Sequence, residues 1–88
     1  VECMSKRQKI LARLLSGSKN ITFLEFISLL DGYGFELDRI RGSHQIYTHP
    51  KVSELIAIQP RHDGKAKPYQ LRQFLKLVEA YNLELNED

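Results

Sequence analysis

Two stretches in the first third of the chain have helical periodicity. In residues 6–15 apolar side chains share one face and basic side chains surround it, which predicts an amphipathic helix. The apolar face consists of Ile10, Leu11, Leu14 and Leu15. Thr22 and Glu25 then have the spacing of a capping box, which predicts the start of a second helix. Gly32 and Gly34 predict its end, with one of them in the left-handed conformation that glycine adopts readily.

The pattern changes to strand-like alternation after the second helix. Leu37 and its neighbours alternate apolar with acidic side chains, which predicts a first strand with one face toward the core. Gly42 and Ser43 then predict a turn or a bulge that leads into a second strand over 44–49. These two strands therefore follow each other closely enough to form an antiparallel pair.

Prolines divide the rest of the chain. Pro50 cannot donate a ladder hydrogen bond, so the second strand is expected to break over 49–53. A third strand is predicted over 55–58, and Pro68 is well placed in the first turn of a last amphipathic helix. The apolar face of that helix consists of Leu71, Phe74, Leu75 and Val78.

The predicted order is helix, helix, three strands, helix. Short connections between the strands favour an antiparallel three-stranded meander with the helices on one face, which is an α+β fold. The other face of the sheet would then be free to bind a ligand. At 88 residues the chain is long enough for one domain and one core.

The distribution of charge is more informative than its sum of +2. Basic residues concentrate in 6–13 and 61–76, whereas acidic residues gather near the end of the chain, and basic regions attract phosphate. A solvated helix face explains the same pattern equally well. Because Cys3 is the only cysteine and no 18-residue apolar run or signal peptide is recognisable, we expect a soluble protein of a reducing compartment, the cytoplasm.

Several kinds of chemistry lack the residues they need. The histidines and Cys3 do not show the spacing of a zinc site, so no metal is expected. Ser43 and His44 are adjacent, and side chains of adjacent strand residues point to opposite faces, which argues against a nucleophilic pair. The sequence has no phosphate-binding glycine motif, so no nucleotide cofactor is expected either.

Cleavage of RNA requires less, because the ribose 2′-hydroxyl is the nucleophile. An imidazole can take its proton and nearby cations can stabilise the charge on the phosphate, without metal or cofactor. His44 is the candidate base, and Gly42 before it would let a sugar-phosphate backbone approach closely. His62 is a possible assisting acid or phosphate donor. The candidate RNA-binding residues are Arg39, Arg41, Gly42, Ser43, Lys65, Lys67 and Arg72.

The orientation of the second strand decides whether His44 can act. Regular alternation places His44 with Ile46 on one face and Tyr47 on the other. If Ile46 faces the helices, His44 turns inward unless Gly42 and Ser43 form a bulge. We predict that Tyr47 faces the core and His44 the open face.

Two longer motifs resemble the HicA family, the toxins of a class of bacterial toxin–antitoxin systems. These are GFELDRIRGSHQIYTHP at 34–50, with its Gly-Ser-His element, and GKAKPYQLRQFLKLVEAYNL at 64–83. The resemblance implies a fold similar to a double-stranded-RNA-binding domain and a metal-independent mRNA interferase that inhibits translation. It also places the family's catalytic histidine on His44, with Gly42 and Ser43 as the turn that presents it.

The resemblance further implies a partner, a HicB-type antitoxin that covers the His44 surface and carries out any DNA binding itself. The chain would be one HicA-like domain with a helical extension at 1–20, a core at 21–83 and an acidic tail at 84–88. Three roles are open for the extension: to extend the RNA surface, to pack against the antitoxin, or to shield an edge of the sheet. Packing is favoured, because the apolar face of the extension needs burial. Two alternatives to the ribonuclease stay open: a non-catalytic RNA-binding module, and an inactive toxin that only binds its antitoxin.

Overall fold

The structure, a computed structural model, describes residues 3–86. Three helices and three strands follow in the predicted order. The helices are α1 (Lys6–Leu15), α2 (Phe23–Gly32) and α3 (Pro68–Ala80). The strands are β1 (Glu36–Arg41), β2 (His44–His49) and β3 (Val52–Ile58).

The predicted helix boundaries are confirmed by their capping interactions. Thr22 and Glu25 form a complete capping box: each side chain accepts a hydrogen bond from the other residue's backbone N–H, both at 3.0 Å. Gly34 follows α2 with φ +93°, so it is the glycine of the predicted pair that adopts the left-handed conformation. Pro68 occupies the first turn of α3, where its missing N–H costs no helical hydrogen bond.

The three strands form an antiparallel sheet in the order β1-β2-β3, which confirms the predicted meander and the α+β class. One boundary prediction was wrong. β3 begins at Val52 rather than at residue 55, because only Pro50 and Lys51 form the turn and His49 pairs directly with Val52. Pro50 therefore lies outside the ladder, as expected, but the break between β2 and β3 is shorter than predicted.

The core lies between the helices and one face of the sheet. Phe74 of α3 is at its centre, with its ring 5.6 Å from Phe26, 5.5 Å from Tyr33 and 6.1 Å from Phe35, all in edge-to-face geometry. Such edge-to-face pairs stabilise a core beyond the area they bury. The largest completely buried side chains are Phe26, Phe35, Phe74, Ile21, Leu29, Leu30, Ile56 and Ile58.

The N-terminal helix α1 packs onto the core of its own domain, so the buried part of its apolar face is covered within the chain and not by a partner. Ile10 and Leu14 are buried, but Leu15 is 65% exposed, so its predicted place on the apolar face was wrong. A helix turns by about 100° per residue, which moves Leu15 away from the face that Leu14 buries. Two arginines of α1 pair with acids of α2, Arg7 with Asp31 and Arg13 with Glu25.

Tyr47 faces the core and His44 is exposed, which confirms the predicted orientation of β2. Burial, with the Asp31 carboxylate as a smaller cause, raises the pKa of Tyr47. Its hydroxyl donates a hydrogen bond to the side chain of Gln45, which lies on the same face. None of the helices within residues 3–86 is both long and apolar enough to cross a membrane.

Candidate ribonuclease site

His44 is the first residue of β2 and follows a two-residue hairpin loop. Gly42 occupies the first position of that loop with φ +63°, a conformation that glycine supplies at little cost. A Cβ atom at Gly42 would meet no atom within 4 Å, so the backbone angle and not packing requires the glycine. The loop therefore places an exposed imidazole at the end of a hairpin, with open space on the glycine side.

A bulge in β1 brings two arginines to the same face as this histidine. Arg41 is the cross-strand partner of His44, and Arg39 is the partner of Ile46. The register shifts between Leu37 and Arg39, since Leu37 pairs with Tyr47. Every residue of β1 is exposed, Leu37 by 48%, so the prediction that one face of this strand packs against the core was wrong, because β1 lies at the edge of the sheet. Without the extra residue, Leu37 and Arg39 would share a face, as residues two apart do in a regular strand.

The extra residue of the bulge is Asp38, whose carboxylate forms an ion pair with Arg39. Both side chains of this pair are about half exposed, so the pair is open to exchange with water and other anions. Arg41 is also exposed. The open face of the hairpin therefore carries two guanidinium groups beside the imidazole, an arrangement suited to holding a phosphate.

Lys67 is connected to the same hairpin through Gln59. The Gln59 side chain donates to Ser43 Oγ at 2.8 Å and accepts from Lys67 Nζ at 3.2 Å. The Ser43 hydroxyl thus bonds to Gln59, which fits the expectation that Ser43 and His44 do not form a nucleophilic pair. Lys67 is the N-cap residue of α3, so it lies at the end of the helix where the helix dipole is positive.

The Lys65 side chain contacts the connection between α1 and α2 and not the hairpin. Its Nζ donates to Asn20 Oδ1 at 2.7 Å, in the connection between α1 and α2. The backbone of its loop bonds to the residues around the start of α2, with Phe23 N donating to Gly64 O and Ala66 N to Ile21 O. Lys65 therefore contributes to a second basic region rather than to the hairpin itself.

His62 is exposed in the 61–65 loop, which Asp63 organises. Asp63 accepts a hydrogen bond from Lys65 N at 3.1 Å and pairs with Arg61 at 3.0 Å. The backbone N–H of Lys65 and the Arg61 charge lower the pKa of the Asp63 carboxyl. This loop holds His62 in a turn of defined shape.

Arg72 lies on the outer side of α3, next to the end of α1. It lines a cavity of about 180 Å³ together with Leu14, Lys19 and Leu75. The predicted RNA-binding residues thus fall into two groups. The hairpin group, which we call the hairpin site, comprises Arg39, Arg41, Gly42, Ser43, His44 and Lys67; Lys65 and Arg72 lie outside it.

His49 differs from His44 in having both ring nitrogens bonded. Nδ1 accepts from Lys51 N and Nε2 lies 3.0 Å from Tyr33 O, so the ring is held as the tautomer that carries its proton on Nε2. Its ring also packs edge-on against Phe35 at 5.0 Å. His44 has no such partner in the part of the chain that the structure describes. Within the same residues, no group of three or more His, Cys, Asp or Glu side chains could hold a metal ion.

Sequence reasoning missed Gln59 and Gln70. Gln70 is 2% exposed, and its side-chain oxygen accepts from Gln59 N at 3.2 Å. A glutamine within an amphipathic helix and another before a proline are common in sequences, and neither shows which partner it will meet. Only the approach of the start of α3 to the end of β3 reveals their connection.

A three-stranded antiparallel sheet, with helices on one face and the basic and histidine side chains of its β1-β2 hairpin on the other, defines a small α+β protein similar in arrangement to double-stranded-RNA-binding domains. The family model that describes the HicA toxin of bacterial toxin–antitoxin systems matches residues 24–79. That match covers more than half of the chain, and the protein belongs to the HicA toxin family. No curated protein and no solved structure gave a match.

Proposed function

We propose that this toxin is a metal-independent endoribonuclease that cleaves mRNA, with His44 as the general base. In the proposed step the imidazole takes the proton of a ribose 2′-hydroxyl, and the 2′-oxygen attacks the adjacent phosphorus. The bond from phosphorus to the 5′-oxygen breaks, leaving a 2′,3′-cyclic phosphate on one product and a 5′-hydroxyl on the other. The leaving 5′-oxygen takes up a proton, for which His62 is the first donor to test.

One observation carries this proposal: an exposed, unpartnered imidazole shares one open face with two guanidinium groups. His44 and Arg41 are cross-strand partners, and the bulge turns Arg39 to the same side. Cations beside the base can stabilise the charge that develops on the phosphate oxygens. Lys67, held through Gln59, adds a third cation at the same hairpin.

We propose single-stranded mRNA as the substrate, because it leaves the ribose free to align its 2′-oxygen with the scissile bond. Inhibition of translation would follow from the loss of mRNA, which places the activity in the bacterial cytoplasm. The family implies an antitoxin, and we propose that a HicB-type antitoxin covers the His44 surface and excludes RNA from it. DNA binding by the pair would belong to the antitoxin.

We also propose that residues 21–83 form the catalytic core and that residues 1–20 are an added helix that stabilises it. The burial of Ile10 and Leu14 supports this division. The family match begins after the added helix, at residue 24. Part of the proposed acidic tail at 84–88 lies outside the described residues.

The decisive experiment incubates purified protein with single-stranded RNA in EDTA. Cleavage that yields 2′,3′-cyclic phosphate ends, and that fails on 2′-O-methylated RNA, is the expected result. Loss of cleavage in His44→Ala with retained RNA binding would assign the chemistry to that ring. RNA binding without cleavage under every condition would instead identify a non-catalytic RNA-binding module, and neither binding nor cleavage would identify a toxin that binds only its antitoxin.

A further inference from the structure

Gln59 holds two elements of the hairpin site together. It follows β3, and its backbone N–H is fixed by the buried side chain of Gln70. Its side chain is half-buried and uses both ends of the amide, one toward Ser43 and one toward Lys67. The residue therefore lies between the loop that presents His44 and the start of α3.

The chemistry of the partners fixes the orientation of this amide. A lysine ammonium can only donate, so the atom that faces Lys67 must be the amide oxygen. The NH₂ group is then directed at the Ser43 hydroxyl, which can accept. A glutamine at this position satisfies both partners at once, and an apolar side chain of the same size satisfies neither.

Lys67 keeps two of its three donors for a ligand after this contact. An unrestrained lysine has four rotatable bonds and sweeps a wide volume, whereas a lysine bonded to Gln59 stays beside the hairpin loop. A phosphate at the hairpin would then meet the ammonium at a fixed distance from the imidazole. Misplacement of a catalytic contact by as little as 1 Å can cost about 100-fold in rate.

We propose that Gln59 is a positioning residue for RNA cleavage, which fixes the Lys67 ammonium on the hairpin that carries His44. This inference rests on the proposed ribonuclease function. Gln59 acts through Lys67 and does not itself contact the reacting atoms. Its removal should therefore lower the rate of the chemical step more than the affinity for RNA.

The test is a double-mutant cycle with Gln59→Met and Lys67→Met, in which methionine keeps the length of each chain but removes its polar contacts. We expect Gln59→Met to lower kcat by about 10-fold to 100-fold with a smaller change in KM. In the Lys67→Met background the same Gln59 substitution should change kcat by less than about 2-fold, because residues that act through one contact are not additive. Gln73→Met, at an exposed glutamine on α3, is the matched control and should leave kcat unchanged.

The outcomes separate the inference from the function on which it rests. Equal losses from Gln59→Met in both backgrounds, or no loss in either, would overturn the positioning role while wild-type cleavage leaves the ribonuclease intact. No cleavage by the wild-type protein would overturn both. Thermal unfolding of each variant identifies any that fail to fold, and Gln59→Asn then serves instead, since its shorter amide cannot reach both partners.

Discussion

Arg41 and His44 are cross-strand partners on either side of the Gly42-Ser43 loop, at the open end of the β1-β2 hairpin. Directly opposed residues of an antiparallel pair have their Cβ atoms about 5 Å apart on the same face. The guanidinium and the imidazole therefore have access to one and the same ligand. This pairing suits the proposed reaction, because the reaction needs a base and a cation at neighbouring atoms of one phosphodiester.

His44→Ala is expected to abolish RNA cleavage without loss of the fold. A positioned general base contributes about 10²-fold to 10⁴-fold, so the cleavage rate should fall by at least about 100-fold. The exposed ring makes no structural contact, so the free energy of unfolding should change by less than about 0.5 kcal/mol. Cleavage assays and urea unfolding measure the two effects. A variant that cleaves RNA at the wild-type rate would refute the assignment of His44 as the base.

Arg41→Ala is expected to weaken RNA binding through the loss of one phosphate contact. For single-stranded RNA the slope of log K against log salt should become shallower by about 0.7 for each contact removed. Lys9→Ala, at an exposed residue of α1, removes the same charge from another element and is the matched control. If both variants change the salt slope equally, binding is a diffuse effect of net charge and the hairpin is not the site.

Gly42→Ala is expected to destabilise the protein by about 1–2 kcal/mol. The residue has φ +63°, which an L side chain adopts only with strain, although the added methyl group meets no neighbour. Gly42→Asn should cost less, since asparagine tolerates positive φ better than alanine. Urea unfolding of the two variants checks the order. Equal stabilities of wild type and Gly42→Ala would show that the loop relaxes into another conformation.

Much of this fold follows from local sequence rules, and the hairpin site follows in part. The capping box at Thr22 and the proline at the start of α3 mark helix boundaries because each satisfies or omits a backbone group locally. Regular alternation along β2 predicted the faces of its residues relative to one another, and the prediction that Tyr47 faces the core then fixed the orientation of the whole strand. The bulge at Asp38 carries no such local signal, since it depends on how β1 pairs with β2.

The sequence likewise could not show that the basic residues fall into two groups. Lys65 and Lys67 are two positions apart, yet one ammonium bonds to Asn20 and the other to Gln59. Their directions depend on the path of the loop past the start of α2, where Thr22 and Lys65 form an isolated bridge. The charge pattern of the sequence indicates a basic region, but it does not show which of the basic residues belong to the hairpin site.

The Asp63 carboxylate should make the stability of the 61–65 loop depend on pH. Its pKa is lowered in the folded state, chiefly by the Lys65 N–H, from an ordinary value of 3.8. A lowered pKa means that the ionised form stabilises the fold, so the contribution is present above about pH 3.8 and is lost as the pH falls through the folded-state value. Asp63→Asn should therefore be less stable than wild type at pH 7, and the difference should shrink toward pH 3 in urea unfolding.

The control for this titration is Glu79→Gln, at an exposed carboxylate of α3. It removes one negative charge without disturbing the 61–65 loop. If the difference between Asp63→Asn and wild type stays constant from pH 7 to pH 3, the stabilisation does not come from the ionised carboxylate. A parallel shift in both variants would point to net charge instead.

Leu14 and Leu15 offer a test of whether α1 is part of the folded core, because two adjacent residues of one type differ only in burial. Leu14 is 8% exposed and Leu15 is 65% exposed. Truncation of a buried leucine to alanine costs about 2–5 kcal/mol, whereas an exposed one changes stability by about 0.5 kcal/mol or less. Leu14→Ala should therefore lower the free energy of unfolding by at least about 2 kcal/mol, with a single cooperative transition in urea, and Leu15→Ala should match the wild type. A second transition in Leu14→Ala, or equal effects of the two variants, would show that α1 is bound to the domain only loosely and that the core folds without it.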